Sequence, residues 1–274
     1  MKYRLIAIDM DGTLLNSDNE VSERNKAAIK DASDKGIHVV ITTGRVFVSA
    51  KYYARILGLK TPIIACNGAY IRDLDSGNIL FEDFIRNEDC KSLVKAAEED
   101  GMYYHLYDDY NFYTKELRHT SMKYYKWNEN QAPEDRININ LSSDLPEKIE
   151  SNNINIYKMV VIDDDIVKLN KFRKKISQNK NIEIVSSWSN NIEIMNRGIS
   201  KGSGLNHLCQ IMNIRKGQVI AIGDNYNDAS MFKFAGLSVA MGNGENEVKK
   251  MADVITDTND KDGVAKVIEE VVLS

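Results

Sequence analysis

The spacing of hydrophobic positions changes character twice along the chain and divides it into three stretches. From Tyr3 to Val40 a short apolar run, a polar loop, an amphipathic stretch and a second apolar run follow one another, the pattern of one βαβ unit and a parallel sheet. Ser22 is placed to N-cap a helix over Glu23–Lys35 and Gly36 to end it, while Ala27, Ala28, Ile29 and Ala32 supply the apolar stripe. Ile37–Thr42 then predicts a second strand. A helix follows from about Val46 to Leu57, closed by Gly58, and Pro62–Cys66 predicts a third buried strand before Asn67-Gly68 turns the chain. Repetition of the unit predicts an α/β fold.

After Asn67 the pattern is different. Ala69–Asp73 and Asn78–Glu82 flank Asp75-Ser76-Gly77 and predict an antiparallel hairpin. Asp83 to Asn190 holds 8 of the 13 Tyr and both Trp. It has an aromatic strand region over Met102–Thr114 and an Asn-rich polar stretch over Ile137–Tyr157, where Ile137-Asn138-Ile139-Asn140 alternates like a half-exposed strand. The α/β pattern returns with a helix over Ser200–Met212, a strand over Gln218–Gly223, a helix over Asn227–Phe234, a strand over Leu237–Met241 and a last helix from about Val264 to Val272. The expected organisation is a parallel-sheet α/β core made of residues 1–82 and 191–274, with residues 83–190 as an inserted α+β domain.

The 274 residues carry 36 Lys+Arg against 40 Asp+Glu, and the net charge of -4 is spread along the chain. Nothing in that balance suggests the basic face that nucleic acid or an anionic membrane would need. No apolar run approaches the roughly 18–20 residues of a membrane span, and the longest candidate, Thr61–Ile71, is broken by Pro62, Asn67 and Gly68. The apolar stretch at the N-terminus is too short for a signal sequence and runs into Asp9, which predicts a mature cytoplasmic start. Cys66, Cys90 and Cys209 are odd in number and far apart, as expected of reduced thiols. The expectation is a cytoplasmic monomer or weak homodimer acting on a small molecule.

Candidate chemistry sits at the ends of the predicted strands. Ile6-Ala7-Ile8 runs straight into Asp9-Met10-Asp11-Gly12-Thr13, two carboxylates at the carboxyl edge of a sheet, where ligands of open α/β sheets bind. A carboxylate there can attack phosphorus, and a second can protonate the leaving oxygen and then activate water. Asp9 suits the first role and Asp11 the second, although Asp and Gly also form ordinary turns. The next strand ends in Thr43-Gly44-Arg45, offering a hydroxyl and backbone N–H groups near a helix start, with Arg45 within reach of substrate oxygens; a plain N-cap at Thr43 would also explain it. Lys201 opens a helix, where its charge opposes the macrodipole unless an anion lies near, and it is the candidate to neutralise phosphate. A solvated lysine is the alternative. Gly223-Asp224-Asn225-Tyr226-Asn227-Asp228 puts more carboxylates at another strand end, and a divalent cation such as Mg²⁺ would relieve their repulsion of Asp9. Asp224 becomes the second metal carboxylate, Asn227 a phosphate contact, and Asp228 a group orienting Lys201 or a metal-bound water; a helix cap explains Asn227 or Asp228 but not Asp224.

The ordered set Asp9-x-Asp11-Gly-Thr, Thr43-Gly44-Arg45, Lys201 and Gly223-Asp224-x-x-Asn227-Asp228 resembles the four motifs of the haloacid dehalogenase superfamily, and more narrowly its Cof-type phosphatases. The resemblance spans the chain and implies a Rossmann-like core with an inserted α+β cap that selects the substrate. It implies Asp9 as nucleophile and Mg²⁺ ligand, Asp11 as general acid/base whose backbone carbonyl also binds the metal, and Asp224 as the remaining metal ligand. Thr43, Lys201 and Asn227 would hold the phosphoryl oxygens, with Asn67 a further substrate contact. The implied activity is Mg²⁺-dependent hydrolysis of small phosphorylated metabolites through an aspartyl-phosphate. The same residues also allow a phosphomutase, a response-regulator-like phosphoacceptor, or a binding protein with a structural metal. Length, the insertion and the Asp-x-Asp pair favour the hydrolase over the phosphoacceptor. The aromatic side chains Tyr103, Tyr104, Tyr107 and Trp188 of the insertion are expected mostly to form its own core.

Overall fold

The computed structural model describes residues 2–151 and 154–274, so Met1 and the Asn152-Asn153 part of the Asn-rich stretch lie outside the described residues. The first stretch folds as β1 (Leu5–Ile8), α1 (Glu23–Asp34), β2 (His38–Ile41), α2 (Phe47–Ile56), β3 (Ile63–Ala65), β4 (Tyr70–Arg72) and β5 (Ile79–Glu82). The middle follows as α3 (Asn87–Glu99), β6 (Tyr103–Tyr107), β7 (Asn111–Thr114), α4 (His119–Glu129), β8 (Asn138–Leu141), α5 (Leu145–Ser151), β9 (Lys158–Ile162), α6 (Ile166–Ile176), β10 (Ile182–Val185) and β11 (Asn191–Asn196). The last is α7 (Lys201–Ile211), β12 (Val219–Gly223), α8 (Ala229–Phe234), β13 (Leu237–Ala240), α9 (Asn246–Lys249), β14 (Val254–Ile255) and α10 (Gly263–Ile268).

Two compact units result. One comprises Met1–Gly44, Ala50–Phe81 and Ser200–Ser274, the other Arg45–Ser49 and Glu82–Ile199. The first is built on a parallel sheet in the order β14-β13-β12-β1-β2. Its strand β1, flanked by β12 and β2, is buried at every residue, and Leu5↔Val219 and Leu5↔His38 set its register against them. A strand covered on both faces must be apolar throughout, which is why Leu-Ile-Ala-Ile and Val-Ile-Ala-Ile read as continuous runs rather than alternating ones. One face packs Leu5, Ala7, Val40 and Ala221 against Leu205 and Leu208 of α7 and Met231 of α8. The Ser22 hydroxyl accepts from the Asn25 N–H and caps α1 as expected.

Two expectations need correction. The predicted third strand joins β2 through a single parallel bridge, Thr42↔Ile64, and β3 instead pairs antiparallel with β4 in a separate three-stranded sheet, β3-β4-β5. The turn over Cys66–Gly68 folds the chain straight back, so β3 makes its three-residue ladder with β4. The second domain boundary also shifts, since residues 191–199 fall in the inserted unit rather than the core. The cause is β11, which pairs antiparallel with both β9 and β10 in that unit's six-stranded sheet, β10-β11-β9-β6-β7-β8. One face of this sheet is apolar, with Tyr104, Leu106, Met159, Val161, Ile192 and Ile194 packed against α3, α5 and α6. The Ile137-Asn138-Ile139-Asn140 stretch forms β8, an edge strand, with its residues half-buried or exposed. Among the described residues no helix is long and apolar enough to cross a membrane.

Candidate active site

The carboxyl ends of β1 and β12 lie side by side, and the register Ile8↔Ile222 brings Asp9 next to Gly223-Asp224. The Asp9 N–H donates to Ile222 O at 3.0 Å, so the strand pairing extends into the first motif. Asp9, Asp224 and Asp228 are all buried, and each offers a carboxylate oxygen within 4.8 Å of the others. Lys201, at the start of α7 behind the capping residue Ser200, is buried with them. Its Nζ donates to Asp9 Oδ1 at 2.5 Å and to Asp228 Oδ1 at 2.6 Å. The solvated-lysine alternative is therefore set aside.

Three carboxylates face one ammonium. Burial first, and then the charges of Asp228, Asp224 and Asp11, push the Asp9 carboxyl well above its usual range, with Lys201 opposing. Burial and the Asp228 charge push Asp224 up to about 7. For Lys201 burial works against the charge, but Asp228 and Asp9 outweigh it and hold the ammonium above its ordinary value. An excess of hard oxygen ligands over cations is the donor set that Mg²⁺ or a similar divalent ion fits. Both oxygens of Asp228 are engaged, Oδ1 by Lys201 and Oδ2 by the N–H groups of Asp224 and Asn225 at 3.0 Å each. That leaves Asp9 and Asp224 as the pair best placed to hold an ion, with Asp228 fixing both Lys201 and the loop that carries Asp224.

The other expected residues divide. Asn227 is buried, and its Nδ2 lies 3.4 Å from Asn67 Oδ1. Asn67 sits in the turn after β3 with φ +56, following Cys66 at φ +50, and its N–H donates to Thr43 O at 3.0 Å. Two successive non-glycine residues in the left-handed region store strain of a kind that gathers at functional sites. Thr43 is four residues ahead of α2, and its N–H donates to Ile64 O at 2.8 Å, so that amide is engaged with β3. Asp11 is half-buried, follows Asp9 by two residues and acts on it through its charge. Gly44 closes the first unit's segment, whereas Arg45 falls with the second and its Nη1 donates to Ser49 Oγ at 3.1 Å along α2.

Sequence reasoning missed two supports. Thr13 Oγ1 donates to Asp224 Oδ1 at 2.9 Å, and Asn243 Nδ2 donates to Gly12 O at 2.8 Å. Asn243 belongs to Gly242-Asn243-Gly244 at the carboxyl end of β13, and the next N–H, of Glu245, donates to Asp224 O at 2.9 Å. A glycine-flanked Asn at a third adjacent strand end was the available signal.

A family model described as haloacid dehalogenase-like hydrolase matches residues 6–268. The chain belongs to that family. It is 34% identical over 98% of its length to 5-amino-6-(5-phospho-D-ribitylamino)uracil phosphatase YcsE of Bacillus subtilis, covering 96% of that protein. It is 30% identical to pyridoxal phosphate phosphatase YbhA of Escherichia coli, over 98% of each chain. The crystal structure of a haloacid dehalogenase-like hydrolase from Bacteroides thetaiotaomicron superposes with a TM-score of 0.85 at 32% identity, covering 98% of this chain and 100% of that one. The haloacid dehalogenase resemblance read from the motifs and the α/β fold both hold, and the protein is a phosphatase of this family.

Proposed function

We propose that this phosphatase is a Mg²⁺-dependent phosphomonoesterase that hydrolyses small phosphorylated metabolites through an aspartyl-phosphate on Asp9. The observation that carries the reading is Asp9 itself, a buried carboxylate at the end of the interior strand β1, bonded to Lys201 at 2.5 Å within a cluster of three Asp. Asp9 and Asp224, with the backbone carbonyl of Asp11, would hold the ion. When bound, it would neutralise charge on the transferring phosphoryl group and allow an anionic nucleophile to approach.

The protein's own groups account for the rest. Lys201, held by Asp228, balances phosphoryl charge, and Asn227 and Thr43 donate hydrogen bonds to phosphoryl oxygens. Asp9 attacks in line, and the P–O bond to the leaving alcohol breaks as Asp11 protonates that oxygen. Asp11 then takes a proton from water, which attacks the aspartyl-phosphate and releases inorganic phosphate. Asn67 sets the position of Asn227. The inserted unit, residues 82–199, selects the leaving group.

The test is release of inorganic phosphate from a panel of phosphomonoesters, with and without Mg²⁺, for wild type and Asp9→Asn. Turnover should require Mg²⁺ and fall roughly a thousandfold or more in the variant. Wild-type turnover by correctly folded Asp9→Asn protein would overturn the assignment.

A further inference from the structure

The turn that carries Asp11 is held from the other end of the chain. It follows β1, and its own backbone closes it, with the Leu14 N–H donating to Asp9 O at 3.2 Å and the Leu15 N–H to Met10 O at 2.9 Å. The Asp9 N–H is tied to Ile222 O, and Thr13 Oγ1 to Asp224. Between those anchors stands Gly12 with φ +78. Glycine enters the left-handed region as readily as the right-handed one, so contacts from outside the turn decide how the chain leaves Asp11.

Those contacts come from the loops after β13 and β14, although β12 stands between these strands and β1 in the sheet. Asn243 Nδ2 donates to Gly12 O at 2.8 Å, and Asn243 Oδ1 accepts from the Asn259 N–H at 2.9 Å. Asn259 Nδ2 donates in turn to Leu15 O at 2.9 Å. Beside it, the Asp260 carboxylate accepts from the N–H and the hydroxyl of Ser17 at 2.8 Å each. The two asparagines therefore clasp the turn at Gly12 and at Leu15 and are bonded to one another. The loop of Asn243 is itself pinned: a Cβ on Gly244 would lie 2.8 Å from Asp224 O, and the Glu245 N–H donates to that same oxygen at 2.9 Å.

Asn243 is exposed. Hydrogen bonds open to water add little to stability, because water replaces them readily, and holding an exposed side chain at both ends costs rotamer entropy. Folding alone explains such a clasp poorly. Fixing a turn whose carboxyl must meet a leaving oxygen explains it well.

We propose that Asn243 and Asn259 are positioning residues for Asp11, holding its carboxyl where it protonates the leaving alcohol. The inference rests on the proposed hydrolysis. In that step Asp9 forms a bond to phosphorus, the bond from phosphorus to the leaving oxygen breaks, and the proton of Asp11 passes to that oxygen. An alkoxide is a poor leaving group and needs the proton, whereas p-nitrophenolate is stable as the anion and departs without it.

The test compares kcat/KM for p-nitrophenyl phosphate with that for the alkyl phosphate that wild type hydrolyses fastest, in wild type, Asn243→Ala, Asn259→Ala and Asp11→Asn. Circular dichroism and Tm check folding. Asn243→Ala should lose roughly 10- to 100-fold on the alkyl phosphate and less than about threefold on p-nitrophenyl phosphate. Asn259→Ala, which cuts only the contact to Leu15, should move the ratio in the same direction. Equal losses on both substrates, or an unchanged ratio in both folded asparagine variants, would overturn the proposal and leave the clasp as a structural tie. Asp11→Asn should show the same bias at least as strongly. No bias there, or no turnover of either ester by wild type, would count against the hydrolysis mechanism itself, whereas a bias confined to Asp11→Asn would sink the clasp alone.

Discussion

At the scale of single residues, the site is held by close contacts that permit no added atom. Gly12 has φ +78, and a Cβ built on it would lie 2.5 Å from Asp224 Oδ2. Gly12→Ala should therefore cost roughly 1–3 kcal/mol in strain and also displace Asp224, lowering both Tm and phosphate release. Gly77 provides the control: its φ is +72 and nothing lies within 4 Å, so Gly77→Ala should carry strain alone and keep turnover. Equal activity in the two variants would mean that the Gly12 turn does not position Asp224. Asp9, Asp224 and Lys201 were legible in the sequence because charged groups at strand ends or a helix start are costly without a purpose. Thr13 and Asn243 were not, since a hydroxyl and an amide suit any loop and only the fold shows that they point at Asp224 and Gly12.

Elements matter through what they carry. Helix α7 delivers Lys201, and its first turn docks on the turn after β3 through glycines, with a Cβ at Gly204 falling 2.7 Å from Gly68 Cα and 2.9 Å from Ile64 Cγ2. Gly204→Ala should push α7 outward, lower stability by roughly 1–3 kcal/mol and reduce kcat by roughly tenfold or more, because small displacements of a charged group are expensive in catalysis. Full kcat at reduced Tm would show that Lys201 is positioned by its ion pairs alone. The helix and strand periods of the core, and the cap at Ser22, were readable from local pattern. The fate of β3 and β11 was not, because a short apolar run carries no mark of which strand it will pair with. Asn191–Asn196 has six residues that would suit either sheet, and only its partners β9 and β10 assign it to the insertion.

For the molecule as a whole, the buried carboxylates couple folding to pH and, on the proposed function, to a divalent ion. A carboxyl whose folded pKa is raised binds its proton more tightly folded than unfolded, so it favours the folded state at low pH and this advantage is lost as pH rises through the folded value. For Asp224 that window runs from its ordinary value of 3.8 to about 7, and Asp9 shifts in the same direction. Lys201 is raised above its ordinary 10.5, so its contribution is present throughout this range and lost only at higher pH. Protein stripped of metal by a chelator should therefore have a lower Tm at pH 8 than at pH 5.5. A divalent ion binds the ionised carboxylates in competition with protons, so the rise in Tm on adding Mg²⁺ should be larger at pH 8. Asp224→Asn removes one charge from the cluster and should flatten the first dependence while weakening the response to Mg²⁺. Differential scanning calorimetry of both proteins at the two pH values, with chelator and with Mg²⁺, measures all of these. A Tm increment from Mg²⁺ that is independent of pH and survives Asp224→Asn would place the ion outside the Asp9–Asp224 pair, and the excess negative charge there would need another counterpart.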